Sequence, residues 1–144
     1  MDIKFGNPVV DGINELSEAK INYFQARIKP LGITFIQAQT LQYINYHPGT
    51  MQKSLAEYLG KQTATITNVL KGLEKDNLIN RKVPKENERQ KLLYLTEDGQ
   101  RLVAIIQTFF DDFGNIANQV FSVEEQRQLK SFGERLMQAL SEVN

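Results

Sequence analysis

The sequence predicts a mainly α-helical fold that carries one small β-hairpin, and three patterns support this fold class. Apolar residues recur at a helical period through most of the chain. Two short runs rich in strand-forming residues flank a polar stretch that contains a proline, between residues 78 and 95. Capping residues, glycine and prolines stand where helices should begin and end. The chain has 144 residues, of which 41% are hydrophobic and 24% charged, so it can form one globular domain with a proper core.

Composition excludes several classes of protein. No apolar run approaches the roughly 20 residues that a membrane-spanning helix needs, and the first residues lack the apolar core of a signal peptide. We therefore expect a cytoplasmic protein without a membrane partner. The chain has no cysteine, which removes disulfides, thiolate nucleophiles and thiol-based redox sensing.

The first two helices are bounded by prolines and a capping signature. A helix over about residues 8–29 fits between Pro8 and Pro30. Thr34 and Gln37 then form a capping box for the second helix, because each side chain can bond the backbone of the other.

The second helix is predicted to end at His47, since proline at position 48 disfavours helix in the residue before it. His47 is the single histidine of the chain. A metal ligand or general base is one interpretation, but such sites need several convergent ligands or partners. We interpret His47 as a loop residue and expect no metal site and no catalytic residue.

Two helices follow in close succession and predict a helix-turn-helix. Met51 to Leu59 forms the first, and it ends at Gly60, where a left-handed residue can turn the chain. Thr63 to Asp76 forms the second. The expected core positions are Leu55, Ala56 and Leu59 in the first helix and Ile66, Val69, Leu70 and Leu73 in the second. Helices joined by so tight a turn are typical of DNA-binding proteins.

The polar side of the second helix is the candidate DNA-reading face. It comprises Thr63, Thr65, Thr67, Asn68, Lys71 and Lys75. Short hydrogen-bonding side chains can read base edges, and lysines can bind phosphates. The alternative is that these residues are only the solvated side of a surface helix.

The hairpin and the charge distribution add to this interpretation. Strands over 78–83 and 91–95 flank a polar tip that carries Lys85 and Arg89. Between Lys53 and Lys91 the chain has nine basic and five acidic residues, whereas the remainder has eight basic and twelve acidic. An excess of positive charge in one region is expected where a protein faces phosphates.

The last two helices look like material for an interface between subunits. Thr96 caps the first of them, and apolar positions from Leu102 to Phe121 form an unusually wide stripe. Ser122 and Glu125 form a second capping box, which opens a final helix with near-heptad apolar spacing. We expect a homodimer, with a bundle inside one chain as the alternative.

Taken together, these residues resemble the MarR family of winged helix-turn-helix regulators over about residues 31–104. The matching segments are Leu55-Ala56 with Leu59, Thr65-Ile66-Thr67-Asn68 with Leu73-Glu74, Leu78-Ile79 with Arg81, Arg89, and Leu95-Thr96-Glu97 with Gly99. The resemblance implies a winged helix-turn-helix lobe over about 31–96 and a helical dimerisation lobe from about 8–29 and 97–144, both within a single domain, 1–144.

Two positions depart from the family pattern. Asn77 stands where the family commonly has glycine, a mild change because asparagine tolerates the left-handed conformation. Asn87 stands where the family usually has an acid two residues before the wing arginine, Arg89. Either Glu86 or Glu88 is a candidate to brace Arg89 instead.

The function implied is that of a sequence-specific, double-stranded-DNA-binding transcriptional regulator, a repressor that binds a pseudo-palindromic operator as a homodimer. An enzyme is disfavoured, because the chain has no phosphate loop and no dinucleotide fingerprint. A winged-helix protein-interaction module without specific DNA binding is the alternative.

Regulation is expected to come from a small apolar or aromatic effector, since this family commonly responds to such molecules, to thiol oxidation or to metals, and the chain lacks cysteine. The candidate lining of an effector pocket is Tyr23, Phe24, Phe35, Tyr43 and Phe109. Each of these is equally compatible with an ordinary place in the core. No cofactor is expected.

Overall fold

The computed structural model of the protein describes residues 4–87 and 89–144, and these residues form six α-helices and three short strands. The helices are α1 Pro8–Ile28, α2 Phe35–Tyr46, α3 Gln52–Leu59, α4 Thr63–Lys75, α5 Glu97–Val120 and α6 Val123–Ser141. The strands are β1 Thr50–Met51, β2 Ile79–Lys82 and β3 Leu92–Leu95. A 3-10 turn, Lys29–Leu31, follows α1. The predicted class, mainly α with a small wing, is confirmed.

The chain divides into two compact units, one that extends to Ile106 and one that comprises Gln107–Asn144. The boundary falls inside α5. The predicted division into a lobe of about 31–96 and a lobe of the remaining helices stays a prediction.

The first unit contains a closed apolar core. Its fully buried side chains include Leu41, Ile44, Leu55, Ile66, Leu70, Leu73, Leu93 and Ile106. Helices α2, α3 and α4, the strands and the first turns of α5 all contribute to it. The end of α1 also belongs here, because Phe24 and Ile28 are buried and the Phe24 ring lies 6.3 Å from that of Phe35.

Local sequence explains where the helices begin and end. The Thr34 hydroxyl accepts the Gln37 N–H, and the Gln37 side chain accepts the Thr34 N–H, so the predicted capping box is present. Gly60 ends α3 with φ 62°. Asn77 follows α4 with φ 58°, which confirms that asparagine fills the left-handed position there.

The predicted hairpin is part of a three-stranded antiparallel sheet with the order β1-β3-β2. Thr50 pairs with Leu93 and Met51 with Leu92, so the expectation that Met51 begins a helix was wrong. Met51 is extended and α3 starts at Gln52. A strand of two residues has no periodicity for a sequence to display, which is why β1 was missed.

The start of α5 lies tightly against the segment that follows α4. The Thr96 hydroxyl donates to the Asn77 carbonyl oxygen at 2.7 Å and accepts the Gly99 N–H at 3.0 Å. A Cβ atom on Gly99 would stand 2.1 Å from the Leu78 carbonyl oxygen. Only glycine fits at this position without a backbone shift.

The second unit has no buried residue, although it is rich in apolar side chains. The exposed ones are Phe110, Ile116, Val120, Phe121, Val123, Leu129, Phe132, Leu136, Met137, Leu140 and Val143. The predicted capping box at the start of α6 is present, with Ser122 and Glu125 exchanging hydrogen bonds of 3.0 and 3.1 Å.

Candidate nucleic-acid interface

Helices α3 and α4 form the predicted helix-turn-helix. The Lys61 N–H donates to the Ala56 carbonyl oxygen at 3.1 Å, so the chain turns within three residues between the two helices. Leu55 of α3 and Leu70 of α4 are both fully buried. The orientation of α4 is therefore fixed by the core of the first unit.

The two sides of α4 differ sharply in burial. Ile66, Leu70 and Leu73 are fully buried, while Asn68, Lys71 and Lys75 are exposed. At 100° per residue, these three exposed residues project from the side opposite the buried ones. Ala64, four residues before Asn68, lies on the same exposed side. The result is a row with a methyl group, a carboxamide and two cations.

Three threonines of the predicted reading face lie beside this row, not at its centre. Thr63 and Thr65 are exposed, and Thr67 is half-buried. The Thr67 hydroxyl donates to the Thr63 carbonyl oxygen at 2.9 Å and accepts from the Gln52 amide nitrogen at 2.7 Å. Its hydrogen is thus used inside the protein.

Neither helix of the pair has a side-chain cap at its start. Met51 precedes α3 and Gln62 precedes α4, and neither makes a side-chain capping bond, whereas Asn7, Thr34 and Ser122 cap their helices. The first N–H groups of a helix without a cap are free for an outside acceptor, and phosphate is a suitable one.

The wing tip presents its cations to solvent. Lys85 and Arg89 are exposed. The Asn87 side chain accepts the Arg89 N–H at 3.1 Å, so asparagine here shapes the backbone turn below Arg89. Among the described residues Glu86 makes no ion pair with Arg89, and Glu88 lies outside them.

The base of the wing is tied to α4 by an ion pair that the sequence did not reveal. Glu74, near the end of α4, pairs with Arg81 of β2. Arg81 is largely buried, so the ion pair holds the base of the wing against α4. Next to Arg81 on β2, the Lys82 ammonium lies 4.8 Å from the centre of the ring of Tyr94 on β3.

The other cations of this region are exposed. They are Lys53, Lys61, Lys71, Lys75, Lys82, Lys85, Arg89 and Lys91. The sequence had singled out four of them, and it gave no reason to choose among the rest. Gln52 and Ala64 were also missed. The position of Ala64 on the exposed side could have been predicted from its spacing of four residues from Asn68. The role of Gln52 could not, because its partner Thr67 is fifteen residues away in the sequence.

The five aromatic residues of the predicted effector pocket do not form one group in the first unit. Phe24 is buried and contacts Tyr23 and Phe35. Tyr43 instead packs against Tyr58, with ring centres 4.6 Å apart. Phe109 belongs to the second unit. The pocket prediction stays a prediction.

Phe35 also lines an open cleft of about 270 Å³ at the end of α1. The cleft is lined by Gln25, Ile28, Lys29, Ile33, Thr34 and Phe35. The lining is mainly apolar and includes one cation, Lys29.

The sequence predicts neither a metal-binding cluster nor a membrane-spanning helix. Within residues 4–87 and 89–144, no three His, Asp or Glu side chains are grouped as a metal site requires. His47 instead packs on Tyr43, with ring centres 4.5 Å apart. In the same described part of the chain, no helix has the length and apolarity to cross a membrane.

A helix-turn-helix with an exposed polar row, followed by a cationic hairpin, defines a winged helix-turn-helix DNA-binding transcriptional regulator. The model of the MarR family matches residues 33–91. An organic hydroperoxide resistance transcriptional regulator from Bacillus subtilis is 31% identical over 121 residues, covering 84% of this chain and 81% of the relative. The chain belongs to the MarR family.

Solved structures agree with this assignment. The transcriptional regulator SlyA superposes with a TM-score of 0.83 at 26% identity, covering 94% of this chain and 96% of that one. A complex of Staphylococcus aureus MepR with DNA superposes with a TM-score of 0.82 at 26% identity, covering 91% and 95%. The Bacillus subtilis relative and SlyA are both described as transcriptional regulators.

Proposed function

We propose that the protein is a homodimeric repressor that places α4 of each subunit in successive major grooves of a pseudo-palindromic operator. The observation that carries this proposal is the exposed row on α4, in which Asn68, Lys71 and Lys75 stand opposite three fully buried residues. The carboxamide suits base edges and the cations suit phosphates. The DNA complex of the relative MepR supports the assignment.

Dimerisation is supported by apolar surface that the single chain leaves exposed. On α1 it includes Val9, Ile13 and Leu16, and on α6 it includes Phe132, Leu136 and Leu140. Apolar positions at helical spacing on both helices suit a second copy of the chain. We propose that the dimer acts in the cytoplasm and that it has no catalytic role.

The wing contributes its tip in this proposal. Lys85 and Arg89 extend from the sheet, and Arg89 reaches toward the minor groove next to the major groove that α4 occupies. The free N–H groups at the starts of α3 and α4 bind phosphates of the same groove.

The effector is proposed to be a small apolar or aromatic molecule. The chain has no thiol to oxidise. The cleft that Phe35 lines is mainly apolar and includes the cation Lys29, which favours an anion. Such a ligand releases DNA only if it binds free protein more tightly than DNA-bound protein. Phenols and fatty acids should release a preformed complex, whereas peroxide and zinc should not. Release by low concentrations of either of the latter, without any response to organic ligands, would overturn this part of the proposal.

The central experiment is to select bound sequences from random DNA with the purified protein. The selected duplex should bind roughly 10³-fold or more tightly than random duplex, with binding that weakens steeply as salt rises. Equal affinity for all sequences would refute specific recognition, and salt-independent or absent binding would favour a protein-interaction module.

Two substitutions on α4 separate base reading from phosphate binding. Asn68→Ala should cost about 1–3 kcal/mol on the selected duplex and little on random DNA. Lys71→Ala should weaken both and reduce the salt slope by about 1 for each subunit, which is about 2 for the dimer. Lys20→Ala, an exposed lysine of α1, is the matched control and should change neither. Negligible losses for both α4 variants would mean that another face binds DNA.

A further inference from the structure

The side chain of Gln52 joins the starts of the two helices of the helix-turn-helix. Gln52 is the first residue of α3 and is half-buried. Its amide nitrogen donates to the Thr67 hydroxyl oxygen at 2.7 Å and to the Thr63 carbonyl oxygen at 3.3 Å. Both amide hydrogens are used, so the carboxamide has one defined orientation.

These bonds restrict what Thr67 can offer to a ligand. A threonine in a helix divides between two rotamers, one of which bonds the carbonyl four residues earlier. Thr67 adopts this rotamer, since its hydroxyl donates to the Thr63 carbonyl oxygen at 2.9 Å. The bond from Gln52 selects the same rotamer. Thr67 therefore retains one lone pair and its methyl group, and it has no hydrogen left to donate.

The position of Gln52 gives these bonds a consequence beyond stability. They hold the first turn of α4, which begins at Thr63 without a side-chain cap, and the exposed Ala64 and Asn68 lie within or next to this turn. A base contact is lost when a side chain moves by about 1 Å. The bonds that fix this turn therefore also determine which bases its side chains can contact.

We propose that Gln52 is a positioning residue for DNA recognition, which holds Thr67 as an acceptor and fixes the first turn of α4 so that the site prefers a base with an exposed amino group, adenine or cytosine. The inference rests on the proposed function, in that α4 must enter the major groove. Adenine N6 and cytosine N4 are the amino groups displayed there, whereas guanine and the thymine carbonyl offer acceptors that Thr67 cannot satisfy.

The test compares base preference, which a merely structural role would not alter. Affinities of the wild-type dimer and of Gln52→Met are measured for the selected duplex, for its single-base variants and for random duplex. Gln52→Met should lower the ratio of specific to random affinity by roughly three- to tenfold and flatten the preference at one base position of each half-site. Binding to random duplex and its salt slope should not change, because Gln52 carries no charge.

Thr67→Val probes the same bonds from the other end, should Gln52→Met fold poorly. It should flatten the same base position, and the double variant should lose little more than either single one. Thr40→Val is the matched control, because Thr40 makes the same kind of bond, to the Ile36 carbonyl oxygen at 2.7 Å, within the core. It should lower thermal stability and leave the ratio of affinities unchanged.

The outcomes distinguish this inference from the function on which it rests. If the wild-type dimer prefers one sequence but Gln52→Met and Thr67→Val keep its ratio and base profile, the positioning role is refuted and the proposed function stands. Parallel losses on specific and random DNA, with lower stability, would also refute it. A wild-type protein without any sequence preference would overturn both.

Discussion

The two units use similar apolar patterns to opposite effect. In α4, Ile66, Leu70 and Leu73 recur at helical spacing and all are 0% exposed. In α6, Leu129, Phe132 and Leu136 recur at the same spacing and remain 53%, 57% and 38% exposed. The first unit covers its own apolar side chains, whereas Gln107–Asn144 buries none of its residues.

This difference shows that apolar periodicity predicts a covered face but not what covers it. In α4 the cover comes from α2, α3 and the strands of the same chain. For α6 the cover that we propose is a second copy. Disrupting the apolar contacts should therefore unfold the first unit, whereas in the second unit it should separate the two subunits of the dimer.

The largest effect is expected from Leu136→Asp. A charge at this position would be buried without a partner in the dimer, once in each subunit. The wild-type protein should remain a dimer on dilution into the micromolar range. In sedimentation equilibrium, the dissociation constant of the variant dimer should be more than about 100-fold higher.

Ser131→Asp is its control. Ser131 lies on the polar side of the same helix, so the same charge should leave the dimer intact. If the wild-type protein sediments as a stable monomer, the proposal that a second copy covers the apolar side of α6 is refuted.

The next effect compares one substitution at two places in α5. Gly99→Ala should destabilise the first unit by about 1–3 kcal/mol, because the new Cβ meets the Leu78 carbonyl oxygen. Gly114→Ala, in the second unit, has no atom within 4 Å to meet and should stabilise the helix by up to about 1 kcal/mol. Thermal unfolding measures both. If Gly114→Ala instead destabilises the protein, another group must lie close to Gly114 in solution, at a site that is open in the single chain.

A smaller effect is expected at the wing, which belongs to the first unit but not to its core. Arg89→Ala should weaken operator binding by roughly tenfold through a lost charge and groove contact, and it should leave dimerisation and unfolding unchanged. The dissociation constant at moderate salt is the measurement, with Lys20→Ala as the control. An unchanged constant would remove Arg89 from the contacts.

The smallest effect concerns the start of α6. The Ser122 backbone N–H, and then its hydroxyl, hold the pKa of the Glu125 carboxyl below its ordinary value of 4.5. Because the pKa is lowered in the folded state, the stabilisation is present above pH 4.5 and disappears as pH falls through the folded value. NMR titration of the Glu125 carboxyl carbon should show this lowered pKa. Ser122→Ala should raise the pKa only part of the way, because the backbone N–H at position 122 remains. A normal Glu125 pKa in the wild-type protein would show that the capping box is not formed in solution.

Much of the fold was predictable because the deciding interactions are local. The capping boxes at Thr34 and Ser122, the turn at Gly60 and the left-handed Asn77 each depend on residues within a few positions of each other. The polar row on α4 was predictable for the same reason, since helical period alone places Asn68 and Lys71 opposite the core.

What the sequence did not reveal depends on residues far apart in the chain. The bond between Gln52 and Thr67 and the ion pair between Glu74 and Arg81 each need two elements to be placed in space first. Thr67 is the instructive case. Its residue type and spacing suit base reading, but the Thr63 carbonyl oxygen accepts its hydrogen and a distant glutamine uses one of its lone pairs, so the hydroxyl can act only as an acceptor. The prediction at Met51 was wrong for another reason. Residues 50 and 51 form a strand because they pair with β3, and no local sequence pattern indicates that pairing.

The separation of charge has a consequence for how the protein behaves in concentrated solution. The chain has seventeen cationic and seventeen anionic side chains, with an excess of exposed cations between Lys53 and Lys91 and an excess of anions elsewhere. A molecule with no net charge but with regions of opposite charge attracts its neighbours at low ionic strength. Added salt should therefore dissolve crowded protein in the same range in which it detaches the protein from DNA. Any buffer chosen for one property changes the other.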